Sequence, residues 1–192
     1  MSTGSTSRVF VSMIDFHSDV EKLRTEARTN LENGSVTDAY SADRERVIAV
    51  LNEALATELV CVLRYRRHHF MAEGIYAAPV AAEFLQHAIE EQGHADLIAA
   101  RIVQLQGEPD FNPATLAQRS HAQYVPGTDL VSMIVEDLVA ERIAIASYIA
   151  IVQWLGNSDI TTRRLMESIL AVEEEHADDL ATFLKQLDES SK

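Results

Sequence analysis

Residues 169–178 read ILAVEEEHAD, and residues 90–96 read EEQGHAD. Both stretches contain a glutamate that is followed three positions later by a histidine; the pairs are Glu91 with His94 and Glu173 with His176. Three positions are close to one helical turn, so the two side chains of a pair lie on the same face of a helix. Carboxylate and imidazole together suit iron, manganese and zinc, and disfavour metals that prefer thiolates. The two stretches therefore predict helices that present metal ligands.

Two further glutamates stand alone on the apolar stripes of other predicted helices. Glu58 follows Leu55 on one stripe and Glu141 follows Leu138 on another, with the steps of three and four residues that mark one helix face. A carboxylate in such a position is costly unless it has a partner or takes up a proton. Four carboxylates on four core-facing stripes need a shared partner, and a cation is the simplest one.

The connections between the predicted helices indicate an all-α four-helix bundle made of two antiparallel hairpins and one long crossover. The helices are predicted at about residues 43–73, 79–106, 129–155 and 159–188. Links of about four residues make antiparallel hairpins, whereas the link over 107–127 is long and contains three prolines. A helix of about 28 residues spans about 42 Å, and about twenty extended residues reach further than that. The middle link can therefore cross the whole bundle.

The turn positions place the candidate ligands of both hairpins at one level. Glu58 and the centre of the Glu91–His94 pair are equidistant from a point near residue 75, inside the first turn. Glu141 and the centre of the second pair are equidistant from a point near residue 157 or 158, inside the second turn. The sequence therefore predicts two metal ions that share carboxylates within one chain. The predicted ligands are Glu58, Glu91, His94, Glu141, Glu173 and His176.

A tyrosine follows each isolated glutamate by seven residues, as Tyr65 and Tyr148. The recurrence at one offset favours hydroxyl groups that donate hydrogen bonds to ligand carboxylates, in the way that outer partners orient metal ligands. The alternative is that both are ordinary amphipathic core tyrosines.

The composition limits the partners of the protein. Lys and Arg number 16 and Asp and Glu number 30, which gives a formal net charge of −14. A field of that sign attracts cations and repels nucleic acid and anionic lipid, so we expect no direct contact with either. The single cysteine, Cys61, rules out a disulfide within one chain. With no signal segment at the front and a longest apolar run, residues 143–152, of about half a membrane span, we expect a cytoplasmic protein.

The chain divides into an N-terminal extension, residues 1–40, and the bundle, residues 41–192. The Ser-, Thr- and Gly-rich start predicts partial disorder in the extension. Residues 15–33 favour a short amphipathic helix, with Gly34 directly after its end.

Residues 41–187 resemble the bacterioferritins and their ferritin-like relatives. The resemblance is carried by LNEALATEL at residues 51–59 with Tyr65, by EEQGHAD at 90–96, by Glu141, and by ILAVEEEHAD at 169–178. It implies a ferritin-like four-helix bundle with a di-iron ferroxidase centre that oxidises Fe(II) with O₂ or peroxide, for iron storage or detoxification.

The resemblance also assigns a role to each ligand position. It implies that Glu58 and Glu141 are terminal carboxylates and that Glu91 and Glu173 bridge the two ions. One imidazole belongs to each iron; these are His94 and His176. The cofactors are then two iron ions, with manganese as a second fit and zinc able to occupy the same ligands.

Two departures separate this chain from the bacterioferritins. Gln92 stands where those proteins place the methionine that holds haem, so we expect no haem. The chain runs about sixteen residues beyond His176, which is too short for the fifth helix of cage-forming ferritins. We expect a homo-oligomer, a dimer at least, with a small oligomer and a shell both open. Candidate interface residues are Val60, Leu63, Ala99 and Ile102.

Two other function classes fit the same pattern. One is a different di-iron or di-manganese oxidoreductase, such as a catalase-like enzyme or a small-molecule oxidase. The other is a ferritin-like shell protein with a structural or stress-protection role.

Overall fold

The computed structural model describes residues 20–190, and within them the chain is helical with no strand. The helices are α1 Val20–Glu26, α2 Arg44–Met71, α3 Ala77–Gln104, α4 Leu116–Arg119, α5 Leu130–Leu155 and α6 Ile160–Ser190, with one 3₁₀ turn at Leu31–Asn33. Helix α2 packs along α3, and α5 packs along α6. The crossover between α3 and α5 contains α4, which lies against α2. The predicted bundle of two hairpins and one crossover is confirmed.

The beginnings of α2, α5 and α6 follow from local side-chain capping. Asp129 accepts a hydrogen bond from the backbone N–H of Ser132 at 2.8 Å, and the Ser132 hydroxyl accepts one from the N–H of Asp129 at 2.9 Å. Asp159 likewise accepts from the N–H of Thr162 at 2.9 Å. These contacts satisfy backbone donors that have no partner within the helix, and they confirm the predicted starts of α5 and α6.

The ends of α3 differ from the prediction. The helix begins at Ala77, so Pro79 is its third residue and not its first. Gln106 has the left-handed backbone conformation after the helix, with φ of 63°. Gly107 is needed for space instead, because a Cβ there would lie 2.8 Å from the side chain of Ile48.

The crossover is held to the first hairpin by side-chain hydrogen bonds. Arg64 of α2 donates to Asp137 Oδ1 of α5 at 2.6 Å and to the carbonyl oxygen of Gln123 at 2.9 Å. Asn52 donates to the carbonyl of Glu108 at 3.1 Å near the other end of the link. These bonds fix α5 against α2 and therefore set the height of Glu141 relative to Glu58.

The helix in the N-terminal extension is shorter than predicted. It ends at Glu26, not at residue 33, and residues 15–19 lie outside the described residues. Its apolar residues Val20 and Leu23 are more than half exposed, so the predicted stripe has no packing partner to extend the helix. The segment that follows contacts the end of the bundle, where the Tyr40 hydroxyl donates to Asp159 at 2.9 Å.

The apolar residues proposed as interface candidates divide into two kinds. Val60 and Ile102 are buried inside the bundle, and the prediction that they face a partner is wrong. A core-facing helix buries an arc of 100° or more, which includes positions beside the metal-facing stripe. Leu63 is exposed over 53% of its surface, and Ala99 is partly buried against the core.

Helix α5 is long and apolar enough to span a membrane by length and composition, and it is alone in this among the described residues. It packs along α6 in the bundle, and it buries Asp137 and Glu141 on its inner face. Those contacts identify α5 as a bundle helix, with an outer face that exposes Val131 and Val139.

Candidate metal centre

The fold brings the six predicted ligands together in the middle of the bundle. Helix α2 contributes one residue, α3 two, α5 one and α6 two, and every one is buried; they are Glu58, Glu91, His94, Glu141, Glu173 and His176. Apolar clusters lie on both sides along the bundle axis. One includes Leu55 and Ile98, and the other includes Phe84 and Ile134. The polar cluster is therefore shielded from water by the packed core above and below it.

The ligand atoms form two overlapping groups. The first is Glu58, Glu91, His94 and Glu173, and the second is Glu91, Glu141, Glu173 and His176. Within each group one atom per residue lies within 4.8 Å of all the others. Glu91 and Glu173 belong to both groups, as carboxylates that bridge two ions would. Each group also has one carboxylate and one imidazole of its own.

His94 lies at the centre of the first group. Its Nδ1 is 2.9 Å from Glu173 Oε1 and 3.4 Å from Glu58 Oε2. These atoms are close, but the ring N–H does not point at either oxygen, and no hydrogen bond forms. One ligand atom of each of these three residues lies within 4.8 Å of the others, which is close enough for all three to contact one ion.

His176 plays the corresponding part in the second group. Its Nδ1 lies 3.5 Å from Glu173 Oε2 and 3.7 Å from Glu91 Oε1, again without a hydrogen bond. The other ring nitrogen, Nε2, lies 2.9 Å from Glu90 Oε2. A histidine that binds a metal through one nitrogen commonly gives the other to a carboxylate, so Glu90 orients this imidazole.

The cluster contains a concentration of buried polar atoms without hydrogen-bond partners. They are Glu58 Oε2, Glu91 Oε1, Glu141 Oε2, both carboxylate oxygens of Glu173, His94 Nδ1 and His176 Nδ1. Buried polar groups in proteins are hydrogen-bonded in about nine cases of ten. Seven orphan atoms facing one another are costly for the protein alone, and two divalent cations would satisfy them. The donor set thus fits two ions of the iron or manganese type.

Two tyrosines tie the terminal carboxylates to the opposite hairpin. The Tyr65 hydroxyl donates to Glu141 Oε1, and the Tyr148 hydroxyl donates to Glu58 Oε1. Each bond uses Oε1 and leaves Oε2 directed at the cluster. The sequence predicted hydrogen bonds to ligand carboxylates, and the structure adds that each tyrosine serves the glutamate of the other hairpin.

The imidazoles balance the charge of the carboxylates in the metal-free protein. Burial alone lowers the pKa of His94, but the nearby carboxylates, that of Glu173 foremost, outweigh it and raise the pKa to about 12. Burial likewise lowers the pKa of His176, and Glu173 followed by Glu91 raises it to about 11. Both rings therefore carry a proton at neutral pH.

The pKa values of Glu58 and Glu141 are raised as well, here by burial first. Burial and then the negative charge of Glu91 raise the pKa of Glu58 well above its usual range. Burial followed by the charges of Glu91 and Glu173 does the same for Glu141. These shifts favour the protonated carboxyls in the metal-free cluster, so protons would compete with metal ions for the same atoms.

Sequence reasoning missed Glu90, and for His87 it favoured a packed core histidine over an entry-path or third-metal residue. Glu90 precedes Glu91 by one position and so points about 100° around α3, toward α6. His87 lies one turn before Glu91, is buried, and stacks on His176 with ring centroids 3.9 Å apart. Burial and then the charge of His176 lower the pKa of His87 to about 3. Both contacts form because α6 packs close to α3. Helical periodicity in the sequence does not predict which residues of the two helices meet.

The comparisons with known proteins agree with this geometry. The family model of the ferritin-like domain matches residues 48–190. Bacterioferritin of Rhodobacter capsulatus is 31% identical over 144 residues, which are 74% of this chain and 85% of that protein. Its solved structure contains a metal-free dinuclear site and haem iron, and it superposes with a TM-score of 0.66 at 30% identity, over 76% of this chain and 87% of that chain.

Two further solved structures are similar over most of the bundle. The dodecameric thioferritin of Bacteroides fragilis, a bacterioferritin-related protein, has a TM-score of 0.76 and 35% identity, over 79% of this chain and 91% of that chain. Desulfovibrio desulfuricans bacterioferritin, a protein with a di-iron site, has a TM-score of 0.68 and 27% identity, over 76% of this chain and 82% of that chain.

Proposed function

The chain belongs to the ferritin-like family, with bacterioferritins among its relatives, and we propose that it is a ferroxidase that oxidises Fe(II) with O₂ or peroxide for iron storage or detoxification. The observation that carries the proposal is the pair of overlapping ligand groups that share Glu91 and Glu173. Two metals held a few ångströms apart can act together on one small oxidant, which a single site cannot do.

The residues divide the work between two positions. Glu58 and His94 would hold one ion, Glu141 and His176 the other, and the two shared glutamates would join them. When bound, iron supplies the electrons that reduce O₂ or peroxide. The protein's own part is to hold the ligand atoms at fixed height, and the apolar clusters on both sides keep bulk water away.

The outer partners keep the ligand atoms oriented during turnover. Tyr148 and Tyr65 hold the two terminal carboxylates by one oxygen each, and Glu90 holds Nε2 of His176. Because these contacts leave Glu58 Oε2, Glu141 Oε2 and Nδ1 of His176 directed at the cluster, little rearrangement is needed on metal binding. On metal binding each imidazole would lose the proton on Nδ1, while Nε2 of His176 would keep its proton and donate it to Glu90.

We expect iron without haem. The Rhodobacter capsulatus relative contains haem iron, but the position that the resemblance assigns to the haem-binding methionine is Gln92 here. Its amide donates to Asp96 at 2.9 Å on the same helix. An amide is not among the axial ligands that haem iron takes in proteins.

We further propose a homo-oligomer, a dimer at least. Helices α2 and α3 expose apolar side chains that a partner subunit would cover; they are Leu63, Phe70, Ile89 and Leu97. The Bacteroides fragilis relative is dodecameric, which favours a shell over a small oligomer for this chain. The net charge of −14 supports the absence of direct nucleic-acid binding and of binding to anionic membranes, and a cytoplasmic location fits both.

Aerobic oxidation of Fe(II) tests the proposal. The metal-free protein is mixed with Fe(II) in air, and absorbance reports the formation of Fe(III). The wild type should oxidise iron faster than the double variant Glu58→Ala/Glu141→Ala, which loses one terminal ligand at each position. Glu174→Ala is the matched control, because Glu174 is an exposed acid beside Glu173. Equal rates in the wild type and the double variant contradict the proposal.

A second di-metal chemistry rests on the ligand set itself. Four carboxylates and two imidazoles suit manganese as well as iron, and a di-manganese enzyme of the catalase type would use the same six residues. Metal analysis of protein from cells supplied with both metals, followed by a peroxide turnover assay, separates the two functions.

A further inference from the structure

His87 is a buried histidine outside the six-residue cluster, and both of its ring nitrogens lack a hydrogen-bond partner. It lies on α3, four positions before Glu91. The edge of its ring meets Tyr65, with centroids 5.2 Å apart, and its face stacks on His176 at 3.9 Å. A buried imidazole whose two nitrogens both lack a hydrogen-bond partner is uncommon in proteins. This suggests that the His87 ring has a binding role, which its neighbouring carboxylates make specific.

Two carboxylates lie in front of the His87 ring. Nε2 is 3.3 Å from Glu83 Oε1 and 3.9 Å from Asp179 Oδ2, and neither contact has hydrogen-bond geometry. One ligand atom from each of the three residues lies within 4.8 Å of the others. Glu83 and His87 come from α3 and Asp179 from α6, so the helix pairing creates the group.

The group is open to solvent on one side and closed on the other. The side chains of Glu83 and Asp179 are exposed over 32% and 56% of their surfaces, while His87 is exposed over 1%. The buried end of the group is the ring of His87, which stacks directly on a proposed ligand of the buried centre. An ion held here would therefore lie beside the solvent and one pair of stacked imidazoles away from the cluster.

We propose that Glu83, His87 and Asp179 form a third site for a single divalent transition-metal ion. An imidazole with two carboxylates suits Fe(II), Mn(II), Co(II) and Zn(II), and the imidazole disfavours Mg(II) and Ca(II), which take oxygen ligands. Water completes the coordination, because two of the three ligands face the solvent. The site binds more weakly than the buried pair, which offers shared carboxylates and excludes water.

The position of the third site, between the solvent and the buried cluster, suggests a role in metal transfer. Iron that enters the buried cluster along the α3–α6 face passes these carboxylates before it reaches His176, so the site loads or unloads the centre. This use rests on the proposed function, whereas binding of the ion itself does not. The opposing interpretation is a packed core histidine, which predicts no dependence of metal binding on Glu83 or Asp179.

Titration with Co(II) under anaerobic conditions tests the site without any redox turnover. Metal-free full-length protein is titrated, visible absorption follows binding, and metal analysis counts the ions retained at saturation. The wild type should bind three ions per chain, and Glu83→Gln/Asp179→Asn should bind two, since amides replace both carboxylates. These residues are partly exposed, so the double variant should keep the fold. Asp178→Asn is the matched control, because it removes one exposed charge next to Asp179 and should leave three.

Two more variants separate the third site from the buried pair. His87→Ala should also bind two ions and should lose the same weak phase as the carboxylate variant. Glu58→Ala/Glu141→Ala should keep the phase that depends on Glu83. If the wild type binds one ion and the Glu83/Asp179 variant none, the proposed centre is wrong and the third site is correct. If the Glu83/Asp179 variant binds as many ions as the wild type with the same affinity, the third site is overturned and the centre is not.

Discussion

Two clusters of buried charged side chains join α2 to α5, and they differ in how their polar atoms are satisfied. In the first, Arg64 donates to Asp137 Oδ1 at 2.6 Å, while the ring of His68 lies 2.7 Å from Asp137 Oδ2 and 3.0 Å from the carbonyl oxygen of Pro126. The second is the six-residue cluster around Glu58 and Glu141, where seven ligand atoms have no such partner.

The difference separates a structural use of buried charge from a functional one. The Arg64–Asp137–His68 cluster is complete within the protein, so it stabilises the bundle and ties down the crossover without any ligand. The six-residue cluster has no such partners within the protein, and in our proposal cations complete it. The raised pKa values of its imidazoles, His94 and His176, favour protons there in the absence of metal. Both clusters bury ionisable groups, and hydrogen-bond satisfaction distinguishes them.

The largest effect should come from breaking the structural cluster. Asp137→Ala removes the carboxylate that compensates Arg64, which is fully buried. An uncompensated buried charge costs about 3–5 kcal/mol, so the free energy of unfolding of the metal-free protein should fall by that amount. Chemical denaturation measures it, with Asp178→Ala as the exposed control.

The matched change in the other cluster should do far less to the metal-free protein. Burial and then the charges of Glu91 and Glu173 raise the pKa of Glu141 well above its usual range, which favours the protonated carboxyl in the metal-free protein. Glu141→Gln replaces that carboxyl by a neutral amide of the same shape, and the change in unfolding free energy should stay below about 1 kcal/mol, the net value of one hydrogen bond. A loss as large as that of Asp137→Ala would show that the two clusters are alike.

Removing the tyrosine hydroxyls should weaken metal binding, with a change in binding free energy smaller than the loss of folding stability in Asp137→Ala. Tyr65→Phe and Tyr148→Phe each free one terminal carboxylate to rotate, and loss of such an outer partner costs about 10–100-fold in metal affinity. Co(II) titration measures the affinity of the buried pair. Tyr124→Phe, on the exposed crossover, should bind as the wild type does. Unchanged affinity in both core variants would reduce Tyr65 and Tyr148 to packing residues.

The remaining effect is the competition between metal ions and protons, which makes the apparent metal affinity depend on pH. The pKa of His94 is about 12 and that of His176 about 11, so both rings are protonated throughout pH 6–8, and each ion displaces at least one proton. Apparent affinity should therefore rise about tenfold per ion for each unit of increasing pH. Calorimetry in two buffers of different ionisation enthalpy counts the protons released. Affinity independent of pH would mean that the imidazoles are already neutral.

Much of this arrangement follows from helical periodicity and turn position. The stripes and equal distances from the turns predicted the levels at which Glu58 meets the Glu91–His94 pair, since a short hairpin leaves little freedom in register. The same arithmetic worked for Glu141 and its partner pair on α6. The structure brings all six residues together, and their role as ligands remains the proposal to be tested.

Other features depend on contacts between helices that one sequence does not record. Arg64 finds Asp137 across 73 positions, and Asp179 meets His87 only because α6 crosses α3 at that height. Gln106 takes the left-handed conformation after α3, and Gly107 gives the space for the close approach to Ile48. The helix predicted over residues 15–33 is shorter because, in the part that the structure describes, Val20 and Leu23 remain more than half exposed.

The most direct measurement is anomalous diffraction from crystals of the protein loaded with Fe(II) or Mn(II), recorded at the absorption edge of the metal. The account predicts two peaks about 3.5–4 Å apart inside one bundle. Glu91 and Glu173 should contact both peaks, Glu58 and His94 one, and Glu141 and His176 the other. A single peak in the bundle, or ions held only between subunits, would contradict it.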